Sequence, residues 1–396
     1  MKRLLSFVLI AGLLVAPAAH AAPKKIAVKP LQLMTTVGTP EEVSGVVASG
    51  KSLIVYGSKA AKAYARAVDT TGKELWNLSL DQSLASIATA AVVDSVGDIW
   101  IAGATPLALG LTPPSPAATP INPDNAAAVP TTNVGNLQAV TLWRVTAAGV
   151  LAGTNTLPTS SVVFPTAISV DRNGASIVGI IGTEKGSAGF IVNTDKAGLF
   201  GKLLQIGLAS TTADAVVRHT DGSFTVAGSS SETLVGKKVA GVTDGVLIKI
   251  SKALKITSVV RSSAVKGKRI WNSATSTLLL GGEVAAGGKA ETAITKFTTS
   301  FAPTWTYRFA STGPAVTVGS TYAAFISTGP TAQLNWNPKV ATPLLLTFNA
   351  KGTVVAADSG PIGQKELLGA ILSKELGLLV VTASADTVSI FTLITR

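Results

Sequence analysis

One pattern recurs along the chain and limits what it can fold into. An apolar stretch ends in a turn rich in Asp, Asn or Gly, a second apolar stretch comes next, and the second often closes on glycine. Residues 92–97 (VVDSVG) lead into 98–103 (DIWIAG), 169–174 (SVDRNG) into a strand ending at Gly182, and 218–222 (RHTDG) into 223–228 (SFTVAG). Aligned on the closing position, the units end at 57, 103, 182, 228, 282, 326 and 382, with spacings of 46, 79, 46, 54, 44 and 56. The long spacing contains an insertion. Most units also carry a second hairpin, with turns at 69–72, 146–149, 195–198 and 349–352.

Each unit therefore reads as four short strands joined by residues that tolerate positive φ or bond their own backbone. Four strands at this period form the blade of a β-propeller. A Greek-key sandwich does not repeat its turn chemistry in this way. The last unit has only three strands, and residues 26–36 supply an orphan strand near the N-terminus. The expected fold is all-β: a seven-bladed β-propeller, with six or eight blades as the alternatives. The N-terminal strand is expected to join the last blade and close the ring, which removes an exposed edge.

The units 94–103, 171–182 and 221–228 resemble the repeats of secreted bacterial β-propellers of the delta-60 and SBBP type. The resemblance implies architecture and no particular chemistry, because fold does not dictate function. Residues 67–76 (AVDTTGKELW) resemble the tryptophan-docking motif of quinoprotein-type propellers, one residue short. For Trp76 the expected role is aromatic packing between blades, and no cofactor is expected.

The first residues read as a leader. Lys2 and Arg3 precede an apolar run over 4–15, and Ala19-His20-Ala21 offers small residues where signal peptidase reads. The run is too short to span a bilayer. A signal peptide over 1–21 is expected, cleaved near Ala21, with 22–396 as a single propeller domain outside the cytoplasm, either periplasmic or secreted. Losing Lys2 and Arg3 leaves 31 basic against 21 acidic residues, a net charge of +10. The lysines are scattered, so no specific nucleic-acid partner is expected.

Composition excludes several chemistries. The chain has no cysteine and two histidines, one of them in the leader. Disulfides, thiolate catalysis and Cys- or His-rich metal sites are excluded, and no metal is expected. Gly45 to Ser52 matches the phosphate-loop pattern, but that pattern works only between a strand and a helix. Here 53–57 (LIVYG) is a strand in register with the other units, so the match is read as a hairpin turn. His219 has Asp214 and Asp221 nearby in sequence but no nucleophile elbow, and it is read as a turn residue. No catalytic residue is assigned.

Residues 104–136 form the insertion, with seven prolines between Pro106 and Pro130 and Asp124 as the single charge. In an up-and-down blade, the middle loop and the link to the next blade share one face. The insertion, 229–244 and 327–341 are all middle loops, so the three longest loops are expected on one face. Its most ligand-like side chains are Asp124, Glu232, Asp244, Asn335, Trp336 and Asn337. The expectation is a non-catalytic exported propeller that binds a polymer or protein through this face, with a cell-envelope polymer or extracellular protein as partner. The alternatives are an exported polysaccharide hydrolase or lyase using Asp and Glu, and a purely structural surface protein.

Overall fold

The computed structural model describes residues 25–81, 85–107 and 136–394. The leader and its cleavage position near Ala21, and most of the insertion with Asp124, lie outside the described residues. Two short strands come first, β1 (Ile26–Pro30) and β2 (Gln32–Thr36). Groups of four come after them. The first is β3 (Val43–Ser49), β4 (Ser52–Lys59), β5 (Lys62–Val68) and β6 (Glu74–Ser79). The second is β7 (Ile87–Val93), β8 (Ile99–Pro106), β9 (Leu137–Val145) and β10 (Leu151–Pro158). The third is β11 (Val163–Asp171), β12 (Gly174–Thr183), β13 (Gly186–Thr194) and β14 (Phe200–Ile206). The fourth is β15 (Thr211–Arg218), β16 (Phe224–Ser230), β17 (Asp244–Ile250) and β18 (Ile256–Ser262). The fifth is β19 (Lys268–Ala274), β20 (Leu279–Ala286), β21 (Lys289–Phe297) and β22 (Pro303–Ala310). Then come β23 (Val316–Val318), β24 (Tyr322–Ser327), β25 (Leu334–Asn335), β26 (Thr342–Phe348) and β27 (Val354–Ser359). The last are β28 (Glu366–Ser373), β29 (Gly377–Ala383) and β30 (Val388–Thr392).

These strands sort into seven sheets. Sheets one to five are the first five groups, each built of chain neighbours. Sheet six is β23-β24-β26-β27, extended by β1 and β25, and sheet seven is β28-β29-β30-β2. The first strand of each sheet packs on the first strand of the next, from β3 on β7 through to β23 on β28, and β28 packs on β3. This arrangement is a β-propeller. Neither an α-helix nor an apolar segment of helix long enough to cross a membrane occurs among the described residues.

The turns at one end of the sheets explain the Asp and Asn of the repeat. In the β7–β8 turn, Asp94 accepts bonds on Oδ1 from the backbone N–H of Val96 at 2.9 Å and Asp98 at 3.0 Å. Asp69, Asp195 and Asn349 do the same in other turns. The fourth turn residue has positive φ, as at Gly97 (97°). In sheets four and five that place is taken by Leu254, Leu278 and Phe301, at 55°, 59° and 64°. Leu278 and Phe301 are buried with Trp271 and Phe297, and this apolar contact offsets the cost of a left-handed backbone.

The closing glycines have a separate cause. A β-bulge falls in the first strand of six sheets, at Ser44, Thr89, Thr166, Asp214, Asn272 and Leu368. In five of them it drives a carbonyl oxygen onto the strand beside it. A Cβ at Gly57, Gly103, Gly179, Gly228 or Gly282 would collide with the carbonyl oxygen of Glu42, Ile87, Phe164, Thr212 or Ile270. The third unit therefore aligns on Gly179, three residues before the Gly182 expected from the sequence. In sheet seven the matching place holds Thr382, opposite Leu367.

The N-terminal strand differs from expectation. Residues 26–36 form two strands, not one. Val28, Lys29 and Pro30 of β1 pair in parallel with Ala357, Asp358 and Ser359 of β27 in sheet six. After the buried Leu31, β2 pairs antiparallel with β30 in sheet seven. The backbone N–H of Leu31 still donates to the carbonyl of Ser359 at 2.8 Å, and the Leu31 side chain enters a core shared with Leu345, Val380 and Phe391.

Outer-strand tryptophans lock neighbouring sheets. Trp76 of β6 lies over Gly149 in the β9–β10 turn of sheet two, and its Nε1–H donates to the carbonyl of Ala147 at 3.2 Å. Trp305 of β22 lies over Gly352 in the β26–β27 turn in the same way, stacked on Phe348 at 5.0 Å.

Candidate functional site

The middle loops and the links between sheets emerge at the end opposite the Asp-capped turns. The long loops 231–243 and 328–341 are here, together with both stems of the β8–β9 loop. They belong to sheets two, four and six, so a whole sheet separates each from the next.

Glu232 and Asp244 shape their own loops. The Glu232 carboxylate accepts from the backbone N–H of Leu208 at 2.9 Å, Ala209 at 3.1 Å and Ser210 at 3.2 Å, and from Thr211 Oγ1 at 2.6 Å. It thus ties the β16–β17 loop to the link between sheets three and four. Asp244 is fully buried. It accepts from the backbone N–H of Ala240 and Gly241, each at 2.9 Å, and pairs with Arg261 at 3.4 Å. Arg261 also donates to the carbonyls of Ser230, Glu232 and Lys237. Burial works to raise both carboxyl pKa values, but the converging donors outweigh it and hold both below the usual range.

In the second loop, Leu334 and Asn335 pair in parallel with Ile26 and Ala27. The Trp336 ring packs partly buried against the core that holds Phe325, Leu334 and Phe348. Its Nε1–H is buried without a partner. The side chains of Asn335 and Asn337 are exposed on either side. Glu232 and Asp244 lie in sheet four and its loop, whereas Asn335, Trp336 and Asn337 belong to the loop of sheet six. The structure therefore holds them as two separate groups.

Several open clefts lie at this end. One of about 420 Å³ is bounded by Asp81, Thr105, Pro106, Leu107 and Pro158, beside the stem of the insertion. The second, about 440 Å³, runs between the link Ser160–Ser161 and the β12–β13 turn at Glu184 and Lys185. The third, about 460 Å³ and mainly apolar, lies at the crossover from β1 to β2, beside Leu31, Leu33 and Phe391.

At the other end, His219 sits in the β15–β16 turn with Nε2 2.7 Å from Thr225 Oγ1, and burial holds its pKa down. Asp221 is occupied by Ser223. Asp214 is at the far end of β15, as the bulged residue, with Thr212 donating to it at 2.5 Å. Burial pushes its pKa up to about 6, against the hydrogen bond from Thr212. The phosphate-loop match spans β3, a tight turn and β4, so no helix N-terminus comes after it. No cluster of three metal-ligating side chains occurs among the described residues.

No family model matches the chain, and neither does any curated protein. Among solved structures the chain is similar to YCF48 bound to a D1 peptide. The TM-score is 0.47 at 10% identity, over 94% of this chain and 99% of that one.

Sequence reasoning missed two features. Asp214 draws notice in the sequence only as a neighbour of His219, and its bulged position shows only once the strand register is known. Lys62, Tyr64 and Arg66 alternate along β5 and line a charged cleft with Glu42 and Glu74. The available signal was three long polar side chains in alternation, where sheet three has Ala188, Phe190 and Val192.

Proposed function

We propose that the chain is an exported, non-catalytic β-propeller that binds a polymer or protein through the end bearing its middle loops. In this reading the seven sheets are the blades of one closed ring, with β2 completing the last, and the kinship is with secreted propellers of the delta-60 and SBBP type. The observation that carries the reading is the fixing of the 231–243 loop. A long loop tied by the carboxylates of Glu232 and Asp244 and by Arg261 has little entropy left to lose on binding, which is how preorganisation favours recognition. The adjacent clefts are of ligand size. Asn335, Asn337 and Asp124 are the proposed direct contacts; Trp336 anchors the 328–341 loop, and Glu232 and Asp244 fix the 231–243 loop in sheet four. Residues 1–21 are the proposed export signal.

One observation favours the enzyme reading: a carboxyl titrating near 6 is suited to acid catalysis. Glycoside hydrolysis needs two carboxyl groups across the scissile bond. At the other bulged positions the chain places Ser44, Thr89, Thr166, Asn272 and Leu368, none of them acidic. Incubation with a panel of neutral and acidic polysaccharides separates the two readings. Binding without release of reducing ends is expected. Turnover that Asp214→Asn abolishes would replace the binding reading with the enzyme.

A further inference from the structure

In the third strand of sheets two, three and four, the residues facing the preceding sheet are apolar and fully buried at Trp143, Val192 and Ile248. Strand pairing gives the equivalent place in sheet one. Trp143 pairs with Ile101, Val192 with Ile177 and Ile248 with Val226, each two residues before the bulge glycine. In sheet one, the residue paired with Val55 is Arg66, and the residue paired with Gly57 is Tyr64. This face looks toward sheet seven, and its inner part is apolar: Leu53, Val55 and Val68 pack with Leu379, Val381 and Ile390. Its outer part is polar. Arg66 pairs across β6 with Asn77, and Tyr64 with Ser79. With Glu42, Lys59, Lys62 and Glu74 they line a cleft of about 410 Å³, and no residue of sheet seven contributes to the lining.

The charges do not seal the cleft. Lys59 holds Glu42 at 3.2 Å, and Arg66 reaches Glu74 only at 3.7 Å through one nitrogen. Asn77 donates to the same carboxylate at 3.3 Å. Two carboxylates face three cations, which leaves Lys62 as a surplus charge. An ion pair this long and partly exposed adds little stability, so it does not account for Arg66 at the place where sheets two, three and four bury Trp143, Val192 and Ile248; sheet five has the small polar Thr295 there.

We propose that this cleft binds an acidic sugar unit, a hexuronate within a polysaccharide. Lys62 and Arg66 take the carboxylate, the guanidinium by its paired N–H donors. The sugar hydroxyls both donate and accept; Tyr64, Asn77 and Ser79 can meet either role, and the Glu74 carboxylate accepts. The volume holds one or two sugar rings. The site lies at the middle-loop end of sheet one, beside the β4–β5 turn, in a different sheet from the 231–243 and 328–341 loops, so variants of Lys62 and Arg66 test it separately from variants of those loops.

The test is calorimetric titration of the protein with trigalacturonate, and with the neutral galactose trimer and triglutamate as comparison ligands. Saturable binding of trigalacturonate alone is expected. Lys62→Gln and Arg66→Gln should each weaken it at least tenfold, and Tyr64→Phe, which removes one hydroxyl from the cleft, about fivefold. Thermal unfolding of each variant separates lost binding from lost fold. Equal binding of triglutamate would show bare charge attraction and overturn the assignment to sugar. No binding of trigalacturonate, or binding that all three folded variants retain, would overturn the site itself.

Discussion

Gly103 and the carbonyl oxygen of Ile87 approach so closely that no Cβ fits between them. The bulge at Thr89 causes this approach, and it recurs at Gly57, Gly179, Gly228 and Gly282. A glycine that looks like turn punctuation in the sequence is therefore a packing requirement of the first two strands.

Gly103→Ala and Gly228→Ala should each destabilise the fold by about 3 kcal/mol, because the backbone must shift to admit the methyl group. Gly153→Ala is the matched comparison, since nothing lies near its Cβ direction. Urea unfolding midpoints check the difference.

Much of the architecture is legible from these residues. The Asp and Asn turns and the closing glycines are local chemistry, visible in any one unit. The third unit misleads because Gly182 and Gly179 both end the same apolar run, and only the bulge at Thr166 selects Gly179. The split of residues 26–36 is not legible, since the partner strands β27 and β30 lie more than 300 residues away in the chain. Glu232 and Asp244 stand out in the sequence as polar loop residues. Their bonds to backbone N–H groups at Leu208 and Ala240 depend on the folded geometry and carry no sequence signal.

Asp244→Asn should cost about 3–5 kcal/mol, because it leaves Arg261, only 8% exposed at its side chain, without a counter-charge. A double variant, Asp244→Asn with Arg261→Met, should recover part of the loss. Thermal unfolding of the single and double variants measures both.

The depressed pKa values of Asp244 and Glu232 set the acid response. Both carboxylates stabilise the fold above the ordinary carboxyl range of about 4. That contribution is lost as pH falls through their lower folded-state values. Glu232→Gln should flatten the loss of melting temperature below about pH 4.

Asp214 works in the opposite direction. Its folded pKa of about 6 lies above that of the unfolded chain, so the fold loses stability as pH rises from about 4 to 6 and gains nothing back above that. Asp214→Asn should raise stability at about pH 8 by about 3 kcal/mol at most and leave it unchanged at about pH 4. Melting curves at the two pH values test the sign.

Trp76→Phe should cost about 1 kcal/mol through the bond to Ala147, with the ring contact on Gly149 largely kept. Hydrogen exchange should show faster opening of the β9–β10 turn and no change in the β26–β27 turn, where Trp305 serves instead.

Binding through the middle-loop end is tested most directly by co-sedimentation of the protein, without residues 1–21, with cell envelopes of its source at low and high salt. Two variants are compared with the parent: one with residues 106–134 replaced by a short Gly/Ser linker, and one with Asn335 and Asn337 changed to alanine. Salt-resistant binding by the parent, weakened in both variants, is the predicted result. No binding, or binding that high salt removes equally from all three, would leave only attraction by net positive charge and contradict recognition through this end.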